Sequence, residues 1–126
     1  MSESKAEKGM QIVRKLMRGG GGGGNLPLPA EFGRMTMEHL FGDVWQGPEL
    51  AIEERSLITC SVLVAIGREE EQRIHFRGAR NLGIPREKLE GMITHVAHYA
   101  GWPVAVGASR VLHEVCAAID EESKGS

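Results

Sequence analysis

Residues Arg68–Arg80 read Arg-Glu-Glu-Glu-Gln-Arg-Ile-His-Phe-Arg-Gly-Ala-Arg, with Gly67 immediately before them and Gly83 shortly after. The run has the length of a helix, and a glycine just beyond its end is a helix stop signal. At about 100° per residue, Arg68, Glu71, His75, Ala79 and Leu82 fall on one side, within an arc of about 80°. Glu69, Glu70, Arg73, Arg77, Arg80 and Asn81 fall on the other. A stripe that ends in Ala79 and Leu82 is expected to face a core, so it carries an arginine, a glutamate and a histidine inward. Burying ionisable groups is costly unless they are paired and hydrogen-bonded. The stripe is therefore either a candidate site or a structural ion pair beside a satisfied histidine, and position alone does not choose between the two.

The helical period continues on both sides. Leu57–Ile66 is apolar almost all round, as expected of a central buried helix, and Glu53 and Glu54 lie near its start, where negative charge suits the helix dipole. Its β-branched content keeps a strand as the alternative. Downstream, Pro85 starts a helix with Leu89, Met92, Ile93, Val96 and Ala100 on its apolar side. Gly101-Trp102-Pro103 breaks it. A last helix sets Val104, Ala108, Val111, Leu112, Val115 and Ile119 on one face, and the polar tail over 120–126 is expected to fray. Upstream, Pro29 suits the first turn of a helix in which Met37, Leu40, Phe41 and Val44 recur, and Trp45-Gln46-Gly47-Pro48 ends it. Ser4–Arg18 reads as a short first helix with Met10, Val13, Leu16 and Met17 together. Six glycines, Gly19–Gly24, follow and read as a flexible connector over 19–25. They precede no Lys-Ser/Thr and follow no strand, so they do not form a phosphate-binding loop. Nothing alternates like a strand. The expected fold class is all-α, a single domain over 1–126 with five or six helices.

With 126 residues the chain can bury about two-thirds of its unfolded surface. A formal net charge of −2, with no basic stripe interleaved with aromatics, argues against a nucleic-acid partner. No run of apolar residues is long enough to span a membrane. The first residues are charged and hold no signal-like apolar run, so the expected location is cytoplasmic. Cys60 and Cys116 show neither metal-ligand nor redox spacing and read as small buried hydrophobes.

Several runs together resemble the carboxymuconolactone decarboxylases, relatives of the AhpD-type alkylhydroperoxidases. They are Gly42-Asp43-Val44-Trp45, Glu54-Arg55-Ser56-Leu57, Arg68-x-x-Glu71-x-x-x-His75-x-Arg77-Gly78-Ala79, Asn81-x-Gly83-Ile84 and Thr94-His95-Val96-x-x-Tyr99-Ala100-Gly101-Trp102-Pro103. The resemblance covers about residues 42–115 and implies an AhpD-like helical fold. It also implies a homo-oligomer, often a trimer or hexamer, with sites near subunit contacts. In the peroxidase branch a Cys-x-x-Cys precedes the histidine. Here those two positions fall on Arg68 and Glu71, and the branch's glutamate position falls on Ser56. Thiol peroxidase chemistry needs a low-pKa thiolate and a resolving partner, so the decarboxylase branch is the one resembled. Where decarboxylases of aromatic catabolism usually carry a Tyr-Cys-Gly-Val-Pro-like run, this chain has Tyr99-Ala100-Gly101-Trp102-Pro103, a version that resembles a broad subgroup and leaves the substrate open.

The reaction implied is loss of carbon dioxide from a lactone acid such as a carboxymuconolactone. The lactone carbonyl receives the electron pair, so no cofactor is called for. Such a site must hold carboxylates, stabilise a developing oxyanion and deliver a proton to carbon. Arg68 is the expected carboxylate clamp. Glu71 or His75 moves the proton, and the other orients it. His95 and Tyr99, four apart on one helix, are candidates for a second wall of the pocket. His98 is expected to face solvent. Trp45 is either core packing or a flat wall for a ring substrate, and Arg77 is expected to be solvated. No metal site is expected, because no third ligand is spaced to join His95 and Tyr99. Two other readings stand beside the decarboxylase: an AhpD-like peroxidase, and a non-catalytic helical binding module whose inward charges only pair with each other.

Overall fold

The computed structural model describes residues 3–18 and 27–125. The glycine connector expected over 19–25 lies outside them. Six α-helices form the fold: α1 (Lys5–Met17), α2 (Ala30–Met35), α3 (Ile52–Ala65), α4 (Glu69–Asn81), α5 (Arg86–Ala100) and α6 (Trp102–Lys124). No strand occurs among the described residues, so the class is all-α, and the strand alternative for 57–66 gives way to α3. Among the described residues no helix is long and apolar enough to cross a membrane.

Local chemistry sets the helix ends. Ser4 and Glu7 close a reciprocal capping box at the start of α1. The Ala51 N–H donates to the Glu54 carboxylate at 2.7 Å, which satisfies one free amide at the start of α3. α3 and α4 each stop at a glycine in the left-handed region, Gly67 at φ +72° and Gly83 at φ +92°, a conformation that costs a side chain with Cβ.

The main core joins α3, α4, α5 and α6 through Cys60, Val64, Phe76, Ala79, Leu89, Ile93, Ala108, Val111 and Leu112. A second cluster holds Ile12, Leu16, Phe41 and Trp45. Thus α1 turns Leu16 inward as expected, with Val13 packed against the cluster and Met10 and Met17 half-buried, and the uncounted Ile12 joins Leu16 at the centre of the face. α2 does not continue as one α-helix to Trp45. It widens into a π-helical stretch, Thr36–Phe41, followed by a single 3₁₀ turn, Val44–Gln46. α1 lies directly on that stretch. A methyl group at Gly9 would collide with the Met37 carbonyl, and one at Gly42 with the carbonyls of Lys5 and Glu38.

Three expectations are corrected here. α4 packs against α1, α3 and α6, so it is covered on more than one side. Arg77, expected in solvent, is buried and forms a two-pronged pair with Glu122 of α6, at 3.0 and 2.5 Å. That pair lies in the stretch expected to fray: α6 runs to Lys124, and its Glu122 carboxyl is held below its ordinary range by the Arg77 guanidinium. Finally, α3 is not buried all round. Ile58, Val62 and Ile66, spaced four apart on one stripe, are each half or more exposed.

Candidate active site

The elbow between α3 and α4 presents the charged residues. The Gly67 N–H donates to the Val64 carbonyl at 3.0 Å, and the Arg68 N–H to the Leu63 carbonyl at 2.9 Å. This two-bond glycine stop ends α3 and starts α4 within one residue, because Arg68 is already the N-cap of α4. Glu71 follows in the first turn, and His75 one turn later.

Arg68 Nε donates to Glu71 Oε1 at 2.9 Å. That hydrogen bond is the main reason the Glu71 carboxyl is held below its ordinary range, with the charges of Arg68 and His75 adding in the same direction. The Arg68 guanidinium is in turn pushed upward. His75 is half-buried, and burial lowers its pKa from the ordinary 6.5 against a smaller opposing pull from Glu71. At neutral pH the three groups are a guanidinium, a carboxylate and an uncharged imidazole. Behind them, the Cys60 thiol donates to the His75 carbonyl at 3.4 Å.

The stripe does not point into the core as its angle suggested. The Arg68 side chain is 60% exposed and that of Glu71 41% exposed. The buried side of α4 is centred on Gln72, Phe76 and Ala79. On the helical wheel these lie at about 40°, 80° and 20° from Arg68, so counting Phe76 would have shifted the buried face away from Glu71. The charged stripe is the rim of that face. A rim position leaves the guanidinium and carboxylate open to an incoming anion, with the histidine half-sheltered beside them.

His95 and Tyr99 lie together, ring centroids 5.1 Å apart. With Ser61, Val62, Ala65, Val96 and Ala100 they line an open, largely apolar groove of about 400 Å³ between α3 and α5. Arg68, Glu71 and His75 do not line it. In a single chain the polar cluster and the apolar groove are therefore separate surfaces, with α3 packed against both α4 and α5. Trp45 joins neither: it is buried against Phe41 in the second cluster, with ring centroids 5.5 Å apart. His98 is exposed, as expected, with Nδ1 2.7 Å from the Thr94 carbonyl oxygen and its ring edge-on to Trp102.

Both cysteines are buried free thiols. Burial pushes the Cys60 thiol up to about 12, with the nearby Ser56 hydroxyl opposing, and raises that of Cys116 as well. Burial thus disfavours, at both positions, the thiolate that thiol peroxidase chemistry uses. Among the described residues no three His, Cys, Asp or Glu side chains gather as a metal site. Gln72, a fully buried amide one turn beyond Arg68, is the residue that the sequence reading passed over.

The profile described as the carboxymuconolactone decarboxylase family matches residues 30–114 of this chain. A 4-carboxymuconolactone decarboxylase of Acinetobacter baylyi is 38% identical over 85 residues, which cover 68% of this chain and 63% of that protein. A nitrosuccinic acid decarboxylase of Metarhizium robertsii is 34% identical over 74 residues, 59% of this chain and 52% of that protein. The chain thus spans less than two-thirds of the length of either relative. The matched span runs from the start of α2 into α6 and includes the α3–α4 elbow with its arginine, glutamate and histidine. On that match the chain belongs to the carboxymuconolactone decarboxylase family.

Proposed function

We propose that the protein is a decarboxylase of small diacids in which the departing carboxylate lies beside an electron sink ending in oxygen, with 4-carboxymuconolactone the leading substrate. The observation that carries this reading is the Arg68–Glu71–His75 cluster at the start of α4, inside the span that matches the decarboxylase family. The two relatives are named for compounds with a common logic. A lactone carbonyl and a nitro group both accept an electron pair onto oxygen, and both named compounds carry a second carboxylate by which they can be held.

Arg68 takes the carboxylate that stays, because gripping the one that leaves would stabilise the ground state more than the transition state. To do so it gives up Glu71. Glu71 then loses the contact that keeps it ionised and faces an anion, so its proton affinity rises and it takes up one proton from solvent water as the substrate binds. The C–CO₂ bond breaks and carbon dioxide departs. The electron pair moves onto the sink oxygen, where the half-sheltered imidazole of His75 donates a hydrogen bond. The proton held by Glu71 is delivered to carbon, closing the balance.

The apolar stripe Ile58, Val62 and Ile66, together with Tyr99 at 84% exposure, is more bare apolar surface than a lone chain needs. A second copy of the chain covers it in this proposal, in a homo-oligomer such as a trimer or hexamer, and supplies the wall that the open cluster lacks. The test offers 4-carboxymuconolactone and nitrosuccinate in parallel and follows carbon dioxide release, with sedimentation in the same buffer. Release from neither compound refutes the decarboxylase. A monomer that turns over substrate refutes the subunit wall and leaves the chemistry standing.

A further inference from the structure

Gln72 has no exposed surface, and its position in α4 is one turn after Arg68. Its Nε2 donates to the Leu63 carbonyl at 3.1 Å. That same carbonyl accepts the Arg68 N–H at 2.9 Å, the bond that closes the elbow. One oxygen therefore takes two donors, one from the residue that presents the guanidinium and one from a side chain that reaches back across the elbow. The Gln72 N–H also donates to the Arg68 carbonyl at 3.0 Å, the ordinary helix bond of the first turn of α4, so Gln72 bonds directly to Arg68 on one side and shares the Leu63 carbonyl with it on the other. Meanwhile Gln72 Oε1 is buried and finds no partner among the described residues. An unpaired buried oxygen is a cost that an apolar side chain of the same size would not carry. Stability alone therefore does not account for an amide here.

We infer that Gln72 is a positioning residue: it latches the α3–α4 elbow through the Leu63 carbonyl and so fixes where Arg68 meets the substrate carboxylate. The catalytic half of this inference rests on the decarboxylase reading, and the structural half does not. Arg68 holds a carboxylate present in both ground and transition states, so a loosened latch raises KM and leaves kcat largely in place.

The experiment replaces Gln72 with residues of similar volume and no donor, Gln72→Met and Gln72→Leu. Amide exchange is measured by NMR, and steady-state decarboxylation of 4-carboxymuconolactone is followed in wild type and variants. The expected result is faster exchange at the Arg68 N–H by about tenfold, the scale of one lost hydrogen bond, with the amides of α1 and α6 unchanged. KM rises by a similar factor at nearly constant kcat, and Gln72→Met adds nothing further in an Arg68→Met background, because the two act as one unit. Unchanged Arg68 exchange overturns the latch, as does an additive double variant. Failure of both variants to fold overturns it too, since a side chain that serves only the elbow is dispensable for the core. A wild type that releases no carbon dioxide refutes the decarboxylase and with it the catalytic half, and the exchange result then decides the elbow by itself.

Discussion

Replacing His75 with alanine separates catalysis from folding by the size of the two effects. Its ring is half-buried, and no side-chain hydrogen-bond partner of the ring is seen among the described residues; the Cys60 contact is to the His75 carbonyl and survives the substitution. Truncating a fully buried aromatic costs about 3–5 kcal/mol, so a half-buried ring of this size should cost about 1–2 kcal/mol. For a chain of this length that lowers the melting midpoint by roughly 3–5 °C per kcal/mol. Starting from even about 5 kcal/mol of stability, about 99% of the variant stays folded at 25 °C. Losing a positioned hydrogen-bond or proton-transfer group lowers turnover by about 10²–10⁴-fold, far outside what partial unfolding supplies. Acidity adds a second signature. Burial lowers the folded pKa of His75 below its ordinary 6.5, so below about pH 6.5 the unfolded chain binds more protons than the folded one and stability falls with pH. His75→Ala lacks that titration, and its stability deficit against wild type should narrow between pH 7 and 5. Decarboxylation kinetics at pH 7 beside urea midpoints at both pH values make the assay. Turnover within about threefold of wild type in the folded variant would refute the catalytic role of His75.

Two helix glycines should respond to alanine with opposite signs. At Gly91, in the middle of α5 with open space around the added methyl, alanine should raise stability by about 0.5–1 kcal/mol through helix propensity. At Gly9, where the methyl meets the Met37 carbonyl, the clash should outweigh that gain and leave a net loss of about 1–3 kcal/mol, read from denaturant midpoints. Peroxide consumption with a dithiol reductant should stay at background in wild type and in Cys60→Ser alike, since the buried Cys60 thiol, pushed up to about 12, is not ionised near neutrality; turnover abolished by Cys60→Ser would restore the peroxidase reading.

The helices were legible because their signals are local: Gly67 and Gly83 mark the stops, Pro29 and Pro85 stand at the starts, and the apolar period runs between them. The cluster Arg68, Glu71 and His75 was legible because a helix brings residues three and four apart onto one side. What escaped depended on neighbours distant in sequence. Arg77 lies opposite the core stripe on a wheel, yet α4 is covered on more than one side, and Glu122, 45 residues away, gives its charge a partner. The bare stripe of α3 reads as core because residues beneath a neighbouring helix and residues left uncovered share one composition. The π-helical stretch lies where α1 packs closely on the Met37 carbonyl, a long-range contact that no local pattern announces. Gln72 was overlooked because a lone amide among charged residues reads as surface, and only the position of the Leu63 carbonyl gives it a task.

Carbon dioxide release from 4-carboxymuconolactone by wild type and by Glu71→Gln, both confirmed folded, tests the central claim most directly. The amide keeps the shape of the carboxyl and cannot carry the proton. The account predicts one carbon dioxide per lactone consumed by wild type, and a loss of about 10²–10⁴-fold in Glu71→Gln with little change in its denaturation midpoint. Equal turnover by the two proteins would contradict it.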